Sequence, residues 1–211
     1  MSSLIKSLII FFNKHLLHRL SYRHWHILLF FYNSIRTKSK FYVLNFDYPK
    51  TFTEKLLFLK SKFQPELHTT VADKFLVRSY VSDKIGKKHL IPLIWQSSNI
   101  DDFKFEKLTK SCVVKLNTGS GNNFFIIDNP TITDFNTIFR KLNKIMNSDF
   151  SLNSKEFHYK KIKPRILIER LLEFPINDYK FFCFNGNPFL IQVDQDRFIN
   201  HKRDFFNLNW E

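Results

Sequence analysis

The chain has 211 residues, enough for one domain with an appendage or for two small ones, and its 44% hydrophobic content excludes a wholly disordered chain. A formal charge of +14 points to anionic partners: nucleotides, nucleic acid, anionic lipid or acidic glycans. The wealth of Lys, Asn, Ile and Phe is also what AT-rich coding produces, and this by itself raises the charge.

Residues 1–46 contain no Asp or Glu, but seven Lys/Arg and four of the eight histidines. Their apolar runs, "LIIFF" and "ILLFFY", fall short of the roughly 20 residues that span a bilayer. Asn13-Lys14-His15 follow the first run without a small-residue cleavage site, which argues against a signal peptide. Leu4, Leu8, Phe12 and Leu16 lie on one drifting helical track. Such a segment suits an anionic membrane surface, or packing on the domain that follows. After Pro49, Thr51 and Glu54 have capping-box spacing, and Phe52, Leu56, Leu59 and Phe63 mark one helical face. A second helix is expected from near Thr70 to Lys84, with Asp73 accepting first-turn amides and Lys74 and Arg78 sharing a face. Gly86 ends it, and "HLIPLIW" reads as a short strand.

"VVKLNTGSGNNFFII" (113–127) then places Lys115 ahead of Gly119-Ser120-Gly121 in a chain with only four glycines. A Walker loop has its Lys after the last glycine and runs into a helix, as does a Rossmann fingerprint. Here the Lys precedes the loop and a strand follows. Two readings stand: an ordinary surface hairpin, or a glycine-tipped lid over phosphates with Lys115 beneath. Residues 131–147 carry a helical stripe of Ile132, Phe135, Ile138, Phe139, Leu142 and Ile145. The polar stretch 148–164 reads as a loop, and its Lys160 is expected to lie away from any site. "RILIERLL" is a strand, and "YKFFCFNGNPFLIQV" is two strands about an Asn185-Gly186 turn. Cys112 and Cys183 sit in apolar runs and are expected to be buried and reduced, and no Cys/His spacing suits zinc. Glu169 ends its strand, where the backbone could meet an adenine edge; Asp178 could take a ribose hydroxyl, and Lys74 and Lys180 phosphates. Taken alone, each reads better as a solvated surface charge.

In order, "TFTEKLLFLK", "ADKFLVRSYV", "CVVKLNTGSGNN", "ILIERLL", "DYKFFCFNGNPFLIQV", "DQDR" and "FFNLNW" resemble the TupA-like ATP-grasp family of teichuronopeptide and capsular polysaccharide biosynthesis, over residues 41–211. The resemblance implies an antiparallel-rich α+β fold with a glycine-loop hairpin lid. It divides the chain into a basic helical segment 1–45 and a partial ATP-grasp domain 46–211, split into 46–110 and 111–211. It implies that Lys74 and Lys115 reach the ATP phosphates and that Gly119, Ser120 and Gly121 form the lid. Glu169, with the backbone from Arg170 to Leu172, would meet adenine, and Asp178 the ribose. Lys180, Asp196 and Arg197 match family positions without an assigned role. The implied chemistry joins a carboxylate to an amine through an acyl phosphate.

The chain departs from the family with Thr118 in place of a lid His and with Asn207 in place of an Asp. The family's magnesium-binding acidic strands lie beyond "FFNLNW", so a C-terminally truncated domain is expected, with Asp194 and Asp196 as weak substitutes for the metal ligands. The alternative is a non-catalytic accessory protein that binds nucleotide, a membrane surface or a chain supplying the missing part. Nucleic-acid binding ranks last, because no RNA-binding motif is present. The expected location is the cytoplasm, including the inner face of the membrane.

Overall fold

The computed structural model describes residues 20–62, 65–105, 111–127, 131–148, 155–173, 175–196 and 199–211. The track from Leu4 to Leu16, Phe63 and Arg197 lie outside the described residues. The chain forms two compact units, Met1–Arg170 and Leu171–Glu211.

The first unit opens with helix α1, Tyr22–Thr37. The Ser21 hydroxyl caps it, and Lys38, in the left-handed region at φ 54°, closes it. Helix α2 spans Phe52–Lys62. The expected capping box forms: Thr51 Oγ1 accepts from Glu54 N at 3.3 Å, and Glu54 Oε2 accepts from Thr51 N at 2.8 Å. Glu54 also accepts from the amides of Asn45 and Lys50, and these backbone donors hold its carboxyl down to about 2. This turns the Glu54 edge of α2 inward. Phe52, Leu56 and Leu59, expected to be the packed face, are exposed.

Two short helices, α3 (Glu66–Ala72) and α4 (Val77–Ile85), replace the single helix expected near Thr70–Lys84. Asp73 causes the break. Its backbone is extended, at φ −77° and ψ 110°, and its carboxylate accepts from the amides of Phe75 and Leu76 at 2.8 and 3.3 Å. A side chain that offers the backbone an alternative partner interrupts a helix.

Strands β1 (Leu93–Ser97), β2 (Cys112–Leu116), β3 (Asn123–Ile126) and β4 (Ile166–Arg170) form one sheet in the order β1-β4-β2-β3. Every pairing is antiparallel. Helix α5, Ile132–Met146, begins at a second capping box, Thr131 with Asp134. Its Phe135, Ile138, Phe139 and Leu142 pack with Cys112, Val114, Leu116, Ile126, Ile166 and Ile168. Each such buried side chain contributes about 1.5–3 kcal/mol. Because strand side chains alternate, this core turns Val113 and Lys115 of β2 to the opposite face of the sheet.

The second unit is a three-stranded antiparallel sheet, β5 (Asp178–Phe184), β6 (Asn187–Gln195) and β7 (Lys202–Phe206), in that order. Asn185 and Gly186 turn between β5 and β6 with φ of 50° and 82°, as their residue types favour. Cys112 is buried, and burial raises its thiol to about 11. Cys183, also expected inside, is exposed, next to a register shift between Phe182 and Cys183 that breaks the alternation of β5. The architecture is α+β with antiparallel sheets.

Candidate functional site

In the first unit, Lys74 stands in the break between α3 and α4. Its ammonium donates to the Gly119 carbonyl at 2.6 Å, and its backbone N–H donates to the Asn117 carbonyl at 2.9 Å. The glycine loop between β2 and β3 is therefore tied to the helix break at two points. Gly119 and Gly121 have φ of 67° and 81°, which glycine alone adopts without strain. Gly119 is buried, whereas Ser120 and Gly121 are exposed. Nothing lies within 4 Å of the position a Gly121 Cβ would take, so the tip is open. Strand β3 follows, and the strand–glycine–strand order expected from the sequence is present.

Asn117, which is buried, fixes the base of this loop. Its side-chain amide donates to the Lys163 carbonyl at 3.0 Å, and its Oδ1 accepts from Arg165 N at 2.7 Å. Its backbone N–H donates to the Arg165 carbonyl at 2.9 Å. The Arg165 side chain donates to Gln96 and lies over the Phe75 ring, 4.4 Å from its centroid. Helix break, loop base and the approach to β4 are thus one bonded assembly.

Across the β2–β4 ladder Lys115 faces Leu167 and Val113 faces Glu169, so Lys115 and Glu169 are diagonal neighbours on one face. Lys115 Nζ lies 2.5 Å from Glu169 Oε2, and Arg78 Nη1 lies 3.2 Å from Glu169 Oε1. All three side chains are at least four-fifths buried. Arg78 also donates to the Ile91 carbonyl at 2.7 Å. Burial first, and then the Lys115 charge, hold the pKa of Lys74 below the ordinary lysine value. Lys74, Arg78 and Lys115 face the carboxylates of Glu169 and Asp73, and Asp73 already serves two amides. The cluster carries more positive than negative charge, which suits an anionic ligand.

Arg170 has an exposed side chain, and its N–H donates to the Pro92 carbonyl at 3.0 Å. Leu172, Asp178, Lys180 and Asp196 belong to the second unit. There Asp194, on the central strand β6, is buried and gathers donors from both sides. It accepts from Lys180, from Arg203 Nε at 2.6 Å and from Gln192 Nε2 at 2.9 Å, and it contacts His201 Nε2 at 2.9 Å. Hydrogen bonds led by Arg203 and Lys180 hold its carboxyl far below the usual carboxylate range. Asp178 faces Asp194 across the β5–β6 ladder, and Lys180 lies between the two, 3.8 Å from Asp178 Oδ2.

The suggestion that Asp194 and Asp196 jointly replace metal ligands is corrected. Asp194 is consumed by these partners, whereas Asp196 lies past the end of β6, exposed, at φ 47°. Among the described residues no group of three or more His, Cys, Asp or Glu is placed to hold a metal ion. Lys160 lines a 260 Å³ cleft together with Thr118 of the glycine loop. Sequence reading left out Asn117, Arg165, His201 and Arg203. The one available signal was a polar Asn directly after an apolar strand, where a buried amide can serve backbone groups on both sides.

A family model described as TupA-like ATPgrasp matches residues 54–211. The chain belongs to the TupA-like ATP-grasp family. No curated protein and no solved structure matches it. The matched region contains the whole Lys74–Lys115–Glu169 cluster, the glycine loop and the second unit. Proteins of the ATP-grasp class bind ATP, and the cationic cluster at the glycine loop has the donors for its phosphates.

Proposed function

We propose that this chain binds ATP at the glycine loop of its first unit and serves ATP-dependent joining of a carboxylate to an amine in the synthesis of a capsular or teichuronopeptide-type surface polysaccharide. Family membership supports the reaction class and the glycan context. The observation that carries the site is Lys74 bonded to the glycine loop with the charge of Lys115, paired to Glu169, acting on it, in a cluster with surplus positive charge.

In this reading Lys74 and Lys115 neutralise the phosphates, and the amides of Gly119, Ser120 and Gly121 close over them, excluding water from the transferring group. Glu169 and the Arg170 carbonyl, with the backbone on to Leu172, take the adenine edge, and Asp178 takes the ribose. Lys180, Asp196 and Arg197 are assigned to phosphate or to the second substrate. When Lys115 turns to phosphate, Arg78 remains on Glu169, so the carboxylate keeps one buried partner. Magnesium favours carboxylate and phosphate oxygens. The described residues gather no group of three or more such ligands. The place of action is the cytoplasm, where ATP is supplied.

Calorimetric titration with ATP, with and without magnesium, tests the site. Lys115→Ala removes a charge-assisted contact of about 1.5–3 kcal/mol, so affinity should fall about ten- to hundred-fold. Lys144→Ala, on the exposed side of α5, should leave it unchanged. Equal behaviour of the two variants would refute the site. ATP binding without ADP formation, when candidate carboxylates and amines are supplied, would favour the non-catalytic accessory reading.

A further inference from the structure

We propose that α1 and the segment after it form a docking surface for an anionic lipid bilayer, independent of the ATP reading. The outward face of α1 carries His24, Leu28, Phe31 and Ile35, spaced i, i+4, i+7 and i+11. The last three are 48%, 47% and 62% exposed. A solvated helix face is polar, and here it is apolar. The patch continues past the helix: Phe41 meets Phe31 edge-on with ring centroids 5.2 Å apart, and Val43 is 71% exposed.

Charge selects the occupant. Arg36, Lys38 and Lys40 are exposed beside this patch, and residues 1–46 carry no carboxylate side chain. The first two acidic residues that follow are both engaged, Asp47 by Arg23 and Glu54 by backbone amides. A second copy of the chain is disfavoured, because pairing like faces would oppose the two sets of cations in chains of charge +14. An apolar centre beside a cationic rim fits a bilayer surface, with side chains buried ~5–10 Å into the boundary and the basic groups at the phosphates. No helix among the described residues is long and apolar enough to cross a membrane.

Flotation of the full chain with phosphatidylcholine vesicles, with and without phosphatidylserine, tests the surface. Binding is expected on the anionic vesicles only and should weaken in high salt. Neutralising Arg36, Lys38 and Lys40 together should reduce partitioning about five-fold per charge. Ile35→Ser with Phe31→Ser should reduce it by at least about ten-fold. Thermal melting matched to the parent chain checks that both variants fold. Absence of flotation, equal flotation on neutral vesicles, or variants that float like the parent would each overturn the proposal. So would a concentration-dependent dimer that the Phe31/Ile35 variant abolishes.

Discussion

Asn117→Leu tests whether the glycine loop is held from below. The substitution keeps the approximate side-chain volume and removes both polar ends. The Arg165 N–H and the Lys163 carbonyl then lose partners at 2.7 and 3.0 Å. An unsatisfied buried group costs about 1–3 kcal/mol, and these two are only partly buried, so about 2–4 kcal/mol is expected in total. For a chain of this size that lowers Tm by roughly 4–16 °C. ATP affinity should fall as well, because the same residue's backbone carbonyl seats Lys74. Asn117→Asp separates the two bonds: the acceptor toward Arg165 survives, while a carboxylate opposes the Lys163 carbonyl. Its Tm should lie between those of the parent and the Leu variant. Differential scanning calorimetry reads the first effect and ATP titration the second. A Leu variant melting within 2 °C of the parent (an effect of under about 1 kcal/mol) would refute the account.

His26 is half-buried against Tyr22, with ring centroids 4.3 Å apart, and its buried Nε2 has no partner among the described residues. Burial, and then the charges of Lys60 and Lys155, lower its pKa from 6.5 to about 4. The unfolded chain therefore binds the extra proton below pH 6.5, and stability should drop as pH falls from 6.5 to about 4; linkage caps the loss at about 3 kcal/mol, and solvent reaching the ring brings it to about 1–2. Denaturant titrations should show His26→Phe losing that slope, and an unchanged slope would assign it elsewhere. For Lys74 the signs oppose: stability of the free protein should rise with pH between its lowered pKa and the ordinary lysine value, while ATP affinity falls over the same interval as the ammonium is lost. Lys74→Met should flatten both curves, which calorimetry across pH reads directly. Glu169→Gln should release Lys115 and tighten inorganic triphosphate binding several-fold while narrowing the preference for ATP over GTP; unchanged triphosphate affinity would mean that the ion pair does not hold Lys115.

The elements with strong local signals were legible. The Thr51–Glu54 box, the α5 stripe, the strand–glycine–strand order and the Asn185-Gly186 turn all follow from periodicity, capping or positive-φ preference. Three features were decided by long-range or competing bonds. Asp73 split a helix by drawing amides to its carboxylate. Glu54 reversed the buried side of α2 by taking backbone donors from Asn45 and Lys50. The register shift beside Cys183 ended an alternation that the letters alone continue. In the first two cases a competing bond outweighed local periodicity, and in the third a change of register did.

The site shows the same division more sharply. Lys74, Lys115, Gly119 and Glu169 were identifiable as residue types, but their roles depend on which charge meets which. Each read alone is a surface charge or a flexible turn. Folding puts Lys115 and Glu169 diagonally across one ladder and sets Lys74 on the loop carbonyl from a helix break 45 residues away. A buried carboxylate between a lysine and an arginine gives little stability, because desolvation offsets most of the attraction. Its better-supported consequence here is positional. Glu169 restrains Lys115, while Lys74 is held separately on the Gly119 carbonyl, so in the proposed reading a phosphate competes with Glu169 for Lys115. In that reading Glu169 acts on the phosphate end of the site, by restraining Lys115, as well as on the base end, a coupling invisible in a motif that names each residue separately.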